Sequence, residues 1–549
     1  MWYFTLRFKV AIKEHCNMKQ WVKTNRYILW YMVCFLVLGW IDQRRGSALG
    51  QIQMTFANLT GVVIAFMLLP GMDLSKFREK VYLRWTPVCV LLTVAACVVG
   101  RFCWKYTGQW ISGVLNLTVW SYLIIYMVRE RKDEKMAIRQ KLRQPFFWCM
   151  VLLFFLMQIS VYGGILPLWY LLVFGGLYLI GIPEERTEDL FNGMTIGIIV
   201  WFFIQQTIAF GFRPYDAVRY RGMYSGTTQN GLFYMIVFCA FLLRWRKAAE
   251  QKKKWWIRGF YFLMSAGMVS FIVYTGGRAP LLGVIVTGFF LMVAYDIFCC
   301  KSFYRLVIHG VAMILCIAIT FPVVYGCIRY LPTILHHPIW FEGEYVEGVS
   351  VCSFDPWNSW KYVSFEEVME NDVNRILEIV GIDTDAMMEK MQEMLGGMKV
   401  HAQEMTAGES QENPFNIEGL DPLNSSTDAR KIIYTYFLHH LNMRGHDRFF
   451  LGFYLTKDVY YEHAHNMFLQ MAYSYGIPVG ILFLGMYMYS LIKALRMCRK
   501  GRWECAVFLI AIACFGMAEM TVTQGQITIP LMWIAFYYGA RDGRGHKHV

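Results

Sequence analysis

Apolar stretches of helical length alternate with short polar connections along almost the whole chain. They fall near 27–41, 52–69, 81–100, 110–128, 145–161, 166–182, 190–210, 229–243, 256–274, 280–298, 306–326, 477–492, 505–520 and 527–540. An apolar run approaching ~20 residues crosses the hydrocarbon core of a bilayer as a helix. The pattern therefore predicts an all-α polytopic membrane protein with about 14 transmembrane helices. The first, fifth, eighth, thirteenth and fourteenth runs are the weakest as independent spans, which sets the range at 12–14. The order divides the chain into a first bundle over 1–326, one long polar excursion over 327–464, and a return to the membrane over 465–549.

Within the excursion the polarity is graded. An aromatic-rich start gives way to a stretch over 387–412 dominated by Gly, Gln, Glu and Met, without structural punctuation. Apolar periodicity returns at Ile432, Ile433, Tyr436, Phe437 and His440, which predicts an amphipathic helix lying on the bundle and ended by Gly445. A basic segment precedes the first apolar run and no small-residue cleavage signature follows it, so that run predicts a retained helix.

Composition agrees with this class, at 56% hydrophobic and 17% aromatic residues. Charge adds orientation. The net charge of +14 hides two parts: residues 327–464 hold 22 acids against 10 Lys and Arg, and the remainder holds 17 against 43. Seven of those bases lie in 129–143, seven in 244–258 and five in 493–502, and an even span count puts all three connections on one face. Lys and Arg accumulate in cytoplasmic loops, so both termini are expected in the cytoplasm and the long loop outside. Bases in short connections do not form the contiguous groove or tail that a nucleic-acid partner requires. Most of the 15 cysteines sit inside apolar runs, which is neither a disulfide framework nor a zinc spacing.

The same register collects three motifs on the outer face. The first is Arg219-Tyr220-Arg221-Gly222, with Arg213 upstream and Asn230 opening the next span. Guanidinium forks pair with phosphate oxygens bidentately and remain charged, so three arginines in one outer loop point to a diphosphate, although any single one also serves as an interfacial anchor. The second is Thr275-Gly276-Gly277-Arg278, a tight turn between spans, which by itself reads as an ordinary helix connection. The third is Glu462-His463-Ala464-His465-Asn466, followed by Gly476 and Gly480. A neutral imidazole can take the proton of an attacking sugar hydroxyl, and Asn466 could orient the ring or the acceptor. Eight of the 12 histidines lie between His336 and His465, so enrichment alone does not single out the base. His463 and His465 hold a metal only with further ligands from elsewhere, and none is predicted.

Taken in order, from about Arg213 to Leu495, these motifs resemble the O-antigen ligase and Wzy-type O-antigen polymerase superfamily. Its members show an Arg-rich turn before an Asn-led helix, a T-x-S-R-like turn, then a long outer loop ending in H-x-H-N with a glycine pair downstream. This chain has Gly277 in place of the usual Ser, and its glycine pair is spaced by four instead of three. The resemblance implies a metal-independent, inverting glycosyltransferase without cofactor that uses a polyprenyl-diphosphate-linked glycan as donor. On that carry-over His465, Arg278 and Arg221 are catalytic; Arg219, Arg213, Asn230, His463, Asn466 and Arg430 bind substrate. The acceptor is a glycan, a lipid core or a protein, and polymerase is favoured over ligase. A lipid-linked glycan flippase or a secondary transporter of an anionic substrate is the alternative, though no inverted repeat or central acid is visible; Glu519 lies near a span end. A metal-dependent transferase would need acids in the first outer loop, where Asp42 stands alone.

Overall fold

Inside a bilayer, backbone N–H and C=O groups find no partner but each other, and the apolar runs accordingly fold as helices. The computed structural model describes residues 20, 22–45, 51–104, 110–130, 135–161, 166–211, 215–216, 219–220, 222–224, 226–334, 426–446, 453–454, 460–461, 463–499, 501–519 and 526–540. Arg213, Arg221, Glu462 and residues 335–425 of the long loop lie outside them. Of the described residues, 86% are helical.

In chain order the helices are α1 (Arg26–Arg45), α2 (Gln51–Leu68), α3 (Lys80–Trp104), α4 (Trp110–Glu130), α5 (Lys135–Leu142), α6 (Pro145–Ile159), α7 (Leu166–Ile180) and α8 (Thr187–Gly211). There follow α9 (Thr227–Glu250), α10 (Trp255–Tyr274), α11 (Arg278–Val293), α12 (Phe303–Ile334), α13 (Ser426–His439), α14 (Met467–Tyr475), α15 (Ile477–Cys498), α16 (Glu504–Gly516) and α17 (Thr528–Ala540). A helix stands at every apolar run of the sequence. Among the described residues, five stretches are long and apolar enough to cross a membrane by themselves: Glu184–Phe210, Trp255–Tyr274, Arg278–Cys299, Phe303–Ile328 and Ile477–Cys498. Two antiparallel ribbons, β1 (Tyr215–Asp216) with β2 (Arg219–Tyr220) and β3 (Phe453–Tyr454) with β4 (Tyr460–Tyr461), are the strands among the described residues.

Helix α9 is the centre of the bundle. Every residue from Asn230 to Leu243 is buried, the signature of a helix apolar all round and enclosed by others. By contrast α12 exposes Val311, Ile314, Leu315, Ile319 and Val323, an apolar face suited to lipid. Small residues bring backbones together, as in many membrane helix pairs. At Gly193 and Gly197 of α8, an added Cβ would lie 2.6 Å from the Ile28 carbonyl oxygen and 2.5 Å from that of Met32 on α1.

One end of the bundle gathers the basic connections. Lys247 pairs with Glu188 at 2.6 Å, Arg502 with Glu184 at 3.4 Å, and Lys141 donates to the Leu179 carbonyl at 2.7 Å. Arg246 is buried there, donating to the Gly501 carbonyl with its guanidinium against the Trp503 ring.

Helix α13 is amphipathic as expected, burying Ile432, Ile433 and Phe437 against Ala464 and Tyr473 in a small satellite core. Its end differs from expectation. The helix stops at His439, six residues before Gly445. Gly445 instead takes φ +76° where an added Cβ would sit 2.2 Å from the Ser474 carbonyl oxygen, so glycine is required there by a tertiary backbone contact and not by a helix cap.

Candidate functional site

The site is assembled at the end of the bundle opposite the basic connections. Helices α9 and α11 run parallel: Gly231 packs on Pro280, Gly283 on Met235, and Gly288 on Phe238. Helix α16 runs antiparallel to α11, with Ala511 facing Gly283 and Trp503 meeting Phe290. The starts of α9 and α11, carrying Asn230 and Arg278, therefore share an end with the Met517–Glu519 segment that follows α16.

The turn before α11 is tight. Gly276 takes φ +60°, and buried Thr275 donates to the Ile272 carbonyl while its oxygen receives the Gly277 N–H. Arg278 is the first residue of its helix and is half-buried. Arg219 stands exposed on β2, opposite Asp216. Asn230 is fully buried, its amide nitrogen donates to the Tyr220 carbonyl at 3.4 Å and so ties α9 to the turn that bears Arg219, while its Oδ1 is buried without a hydrogen-bond partner among the described residues. The same turn is pinned from below, because Tyr224 donates to the Asp42 carboxylate at 3.1 Å and the other Asp42 oxygen accepts the Ile527 N–H at 3.2 Å. Asp42, near the end of α1, thus ties that helix to the Tyr224 turn and to the start of α17. Arg430 lies within α13.

His465 is held with more constraint than its sequence implies. Asn466 caps α14, its side-chain oxygen accepting the Phe468 and Leu469 N–H groups at 3.0 Å each, while its amide donates to the Met517 carbonyl at 3.1 Å. The Tyr434 hydroxyl is 3.2 Å from both the His465 and Met517 carbonyl oxygens. These contacts maintain His465 at φ +45°, a left-handed conformation that costs a non-glycine residue about 1 kcal/mol or more. Met467 packs directly on Gly516, which fixes α14 against the end of α16.

That packing delivers Glu519 to the histidine. Glu519 Oε2 lies 3.0 Å from His465 Nδ1, with the carboxylate 15% and the imidazole 24% exposed. Such a contact orders the ring with its proton on Nδ1 and leaves Nε2 as an acceptor. His463 stands edge-on to His465, the ring centroids 4.1 Å apart. Burial, and secondarily the His465 ring, push its pKa down to about 4 against the opposing pull of Glu519, so it is neutral at physiological pH.

Comparison with protein families, with characterised proteins and with solved structures finds no match to this chain. A carboxylate-bound imidazole at one end of a helical bundle, with guanidinium groups at the same end, can accept a proton from a hydroxyl while cations neutralise a phosphate. Glu519 and Tyr434 are the two contributors that sequence reasoning did not pick out. Glu519 is 54 residues from His465, and its only signal was that it is an acid at a span end. Tyr434 carried none.

Proposed function

We propose that this chain is a membrane glycosyltransferase of the O-antigen ligase and polymerase type. It transfers or polymerises a polyprenyl-diphosphate-linked oligosaccharide at the outer face of the cytoplasmic membrane, and polymerase is the favoured form. The observation that carries the reading is the His465–Glu519 pair at the bundle end shared with Arg219 and Arg278. In this reading about 14 helices span the membrane, the basic end and both termini are cytoplasmic, and the acidic loop is outside.

His465 Nε2 removes the acceptor hydroxyl proton as that oxygen attacks the anomeric carbon. The bond from that carbon to the diphosphate oxygen breaks on the opposite side, which inverts the centre. The lipid diphosphate leaves with the electron pair, and Arg278 together with Arg219 or Arg221 stabilises its charge. Glu519 is a positioning residue that stabilises the imidazolium formed. The Gly277 departure from the family pattern has a local reason, since a Cβ there would lie 2.8 Å from the Pro280 ring.

The test is gel analysis of glycans from cells deleted for the protein and complemented with wild type or variants of matched membrane level. A ladder of repeat lengths restored by wild type supports a polymerase, and accumulated full-length lipid-linked glycan in the deletion a ligase. Unchanged glycans in every strain would favour the flippase or transporter alternative and end the transferase reading.

Two variants probe the assigned roles. Arg278→Lys keeps the charge but loses the fork, and we expect roughly ten-fold slower transfer at unchanged expression. A wild-type rate would remove Arg278 from the donor site. Glu519→Gln is expected to lower kcat roughly ten-fold while leaving KM for donor in place, with partial rescue by Glu519→Asp. An equal loss in kcat and in folded yield would assign Glu519 to the scaffold alone.

A further inference from the structure

His463 has no part in the proton transfer just described, yet its ring stands edge-on to that of the base, the centroids 4.1 Å apart. Among the described residues its Nδ1 is buried without a hydrogen-bond partner, an unmet polar atom of the kind that calls for a ligand. One donor atom from each of His463, His465 and Glu519 can be chosen so that all lie within 4.8 Å of one another. Tetrahedral zinc bonds of ~2.0–2.1 Å place neighbouring ligand atoms roughly 3.3 Å apart. Side-chain adjustments of about an ångström would therefore close the triad.

We infer that His463, His465 and Glu519 form a binding site for a divalent transition-metal ion of the zinc class, and that the bound ion silences the base. Two imidazoles and one carboxylate match zinc and its neighbours, whereas magnesium and calcium require more oxygen ligands than this cluster offers. The partial exposure of His465 and Glu519 gives an ion access from the site itself, with water as the fourth ligand.

The consequence follows from either mode of coordination. Through Nε2 the ion takes the lone pair that would accept the hydroxyl proton. Through Nδ1 it displaces the ring proton to Nε2, and that nitrogen becomes a donor. In both cases His465 no longer acts as a base, while the protein stays folded and the arginines remain available to the donor diphosphate. The silencing half of the inference rests on the transferase reading; the metal site does not.

The experiment uses the full chain purified in detergent, with any affinity tag cleaved and metal stripped by a chelator. Cobalt(II) is titrated for its visible absorption and zinc for competition. Wild type should bind a single tight ion with the intense spectrum of a four-coordinate site, and His463→Gln and Glu519→Gln should each weaken it about ten-fold or more. Replacing His546 and His548, near the end of the sequence, by alanine should leave binding unchanged. Absence of tight binding, or equal binding by wild type and both site variants, would overturn the site whatever the protein's activity proves to be. In a transfer assay with lipid-linked donor, zinc should inhibit wild type reversibly on chelation and inhibit His463→Gln about ten-fold less strongly. Stimulation by zinc would overturn the silencing role, and binding without any transferase activity would retain the site and reject the function on which the silencing rests.

Discussion

Replacing His465 with alanine is expected to lower glycan transfer by about 10²–10⁴-fold, the range associated with losing a positioned general base. Three features make this the largest activity effect in the chain. The imidazole is the group that the Glu519 carboxylate orients at 3.0 Å. Its neighbour His463 is pushed down to about 4 by burial, which makes it a much poorer proton acceptor near neutral pH. Its backbone is held at φ +45° by the Asn466 cap and the Tyr434 hydroxyl, a constraint that serves side-chain placement. Alanine keeps those backbone contacts, so thermal stability in detergent and binding of lipid-linked donor should be nearly unchanged. Transfer within about three-fold of wild type, measured with equal folded protein, would show that another group takes the proton.

The largest stability effect is expected at Gly476, for reasons unrelated to proton transfer. This residue joins α14 to α15 at φ +102° and ψ 155°, a region essentially closed to residues with a Cβ. An added Cβ would also lie 2.4 Å from the Met443 carbonyl oxygen and 2.8 Å from its carbon. The approach is reciprocal, since Gly445 lies against Ser474 while the Ile477 N–H donates to the Asn442 carbonyl at 2.9 Å. Backbone strain plus a backbone clash puts Gly476→Ala at about 3 kcal/mol or more of destabilisation. The measurement is the thermal midpoint in detergent beside Gly485→Ala, whose position has open space around an added Cβ and whose helical setting favours alanine. Gly476→Ala should fall well below wild type and Gly485→Ala should match or exceed it. Equal midpoints for the two would refute the packing argument.

These two expectations draw on different kinds of information. His465 and Asn466 stand out in the sequence because they are adjacent, precede an apolar helical stretch and follow a long polar loop. Gly476 is equally visible as a letter, but its reason is a carbonyl 33 positions earlier in the chain. Gly445 shows the hazard directly. Read locally it terminates a helix, whereas it serves a contact with a segment 29 residues away. Asn230 stands out in the sequence from its position after the arginines, and only the packing shows that its amide nitrogen meets the Tyr220 carbonyl.

The positions of the helices are legible in the chain itself. Desolvation of the backbone forces each apolar run into a helix independently of the others, so hydropathy alone locates them. Which side chains meet is settled by packing. The partnership of Glu519 with His465, the support from Tyr434, and the closeness of His463 to both depend on how α13, α14 and α16 cross. Those crossings are set by small residues and shape, such as Gly516 under Met467, and neither periodicity nor charge along the chain encodes them in a readable form.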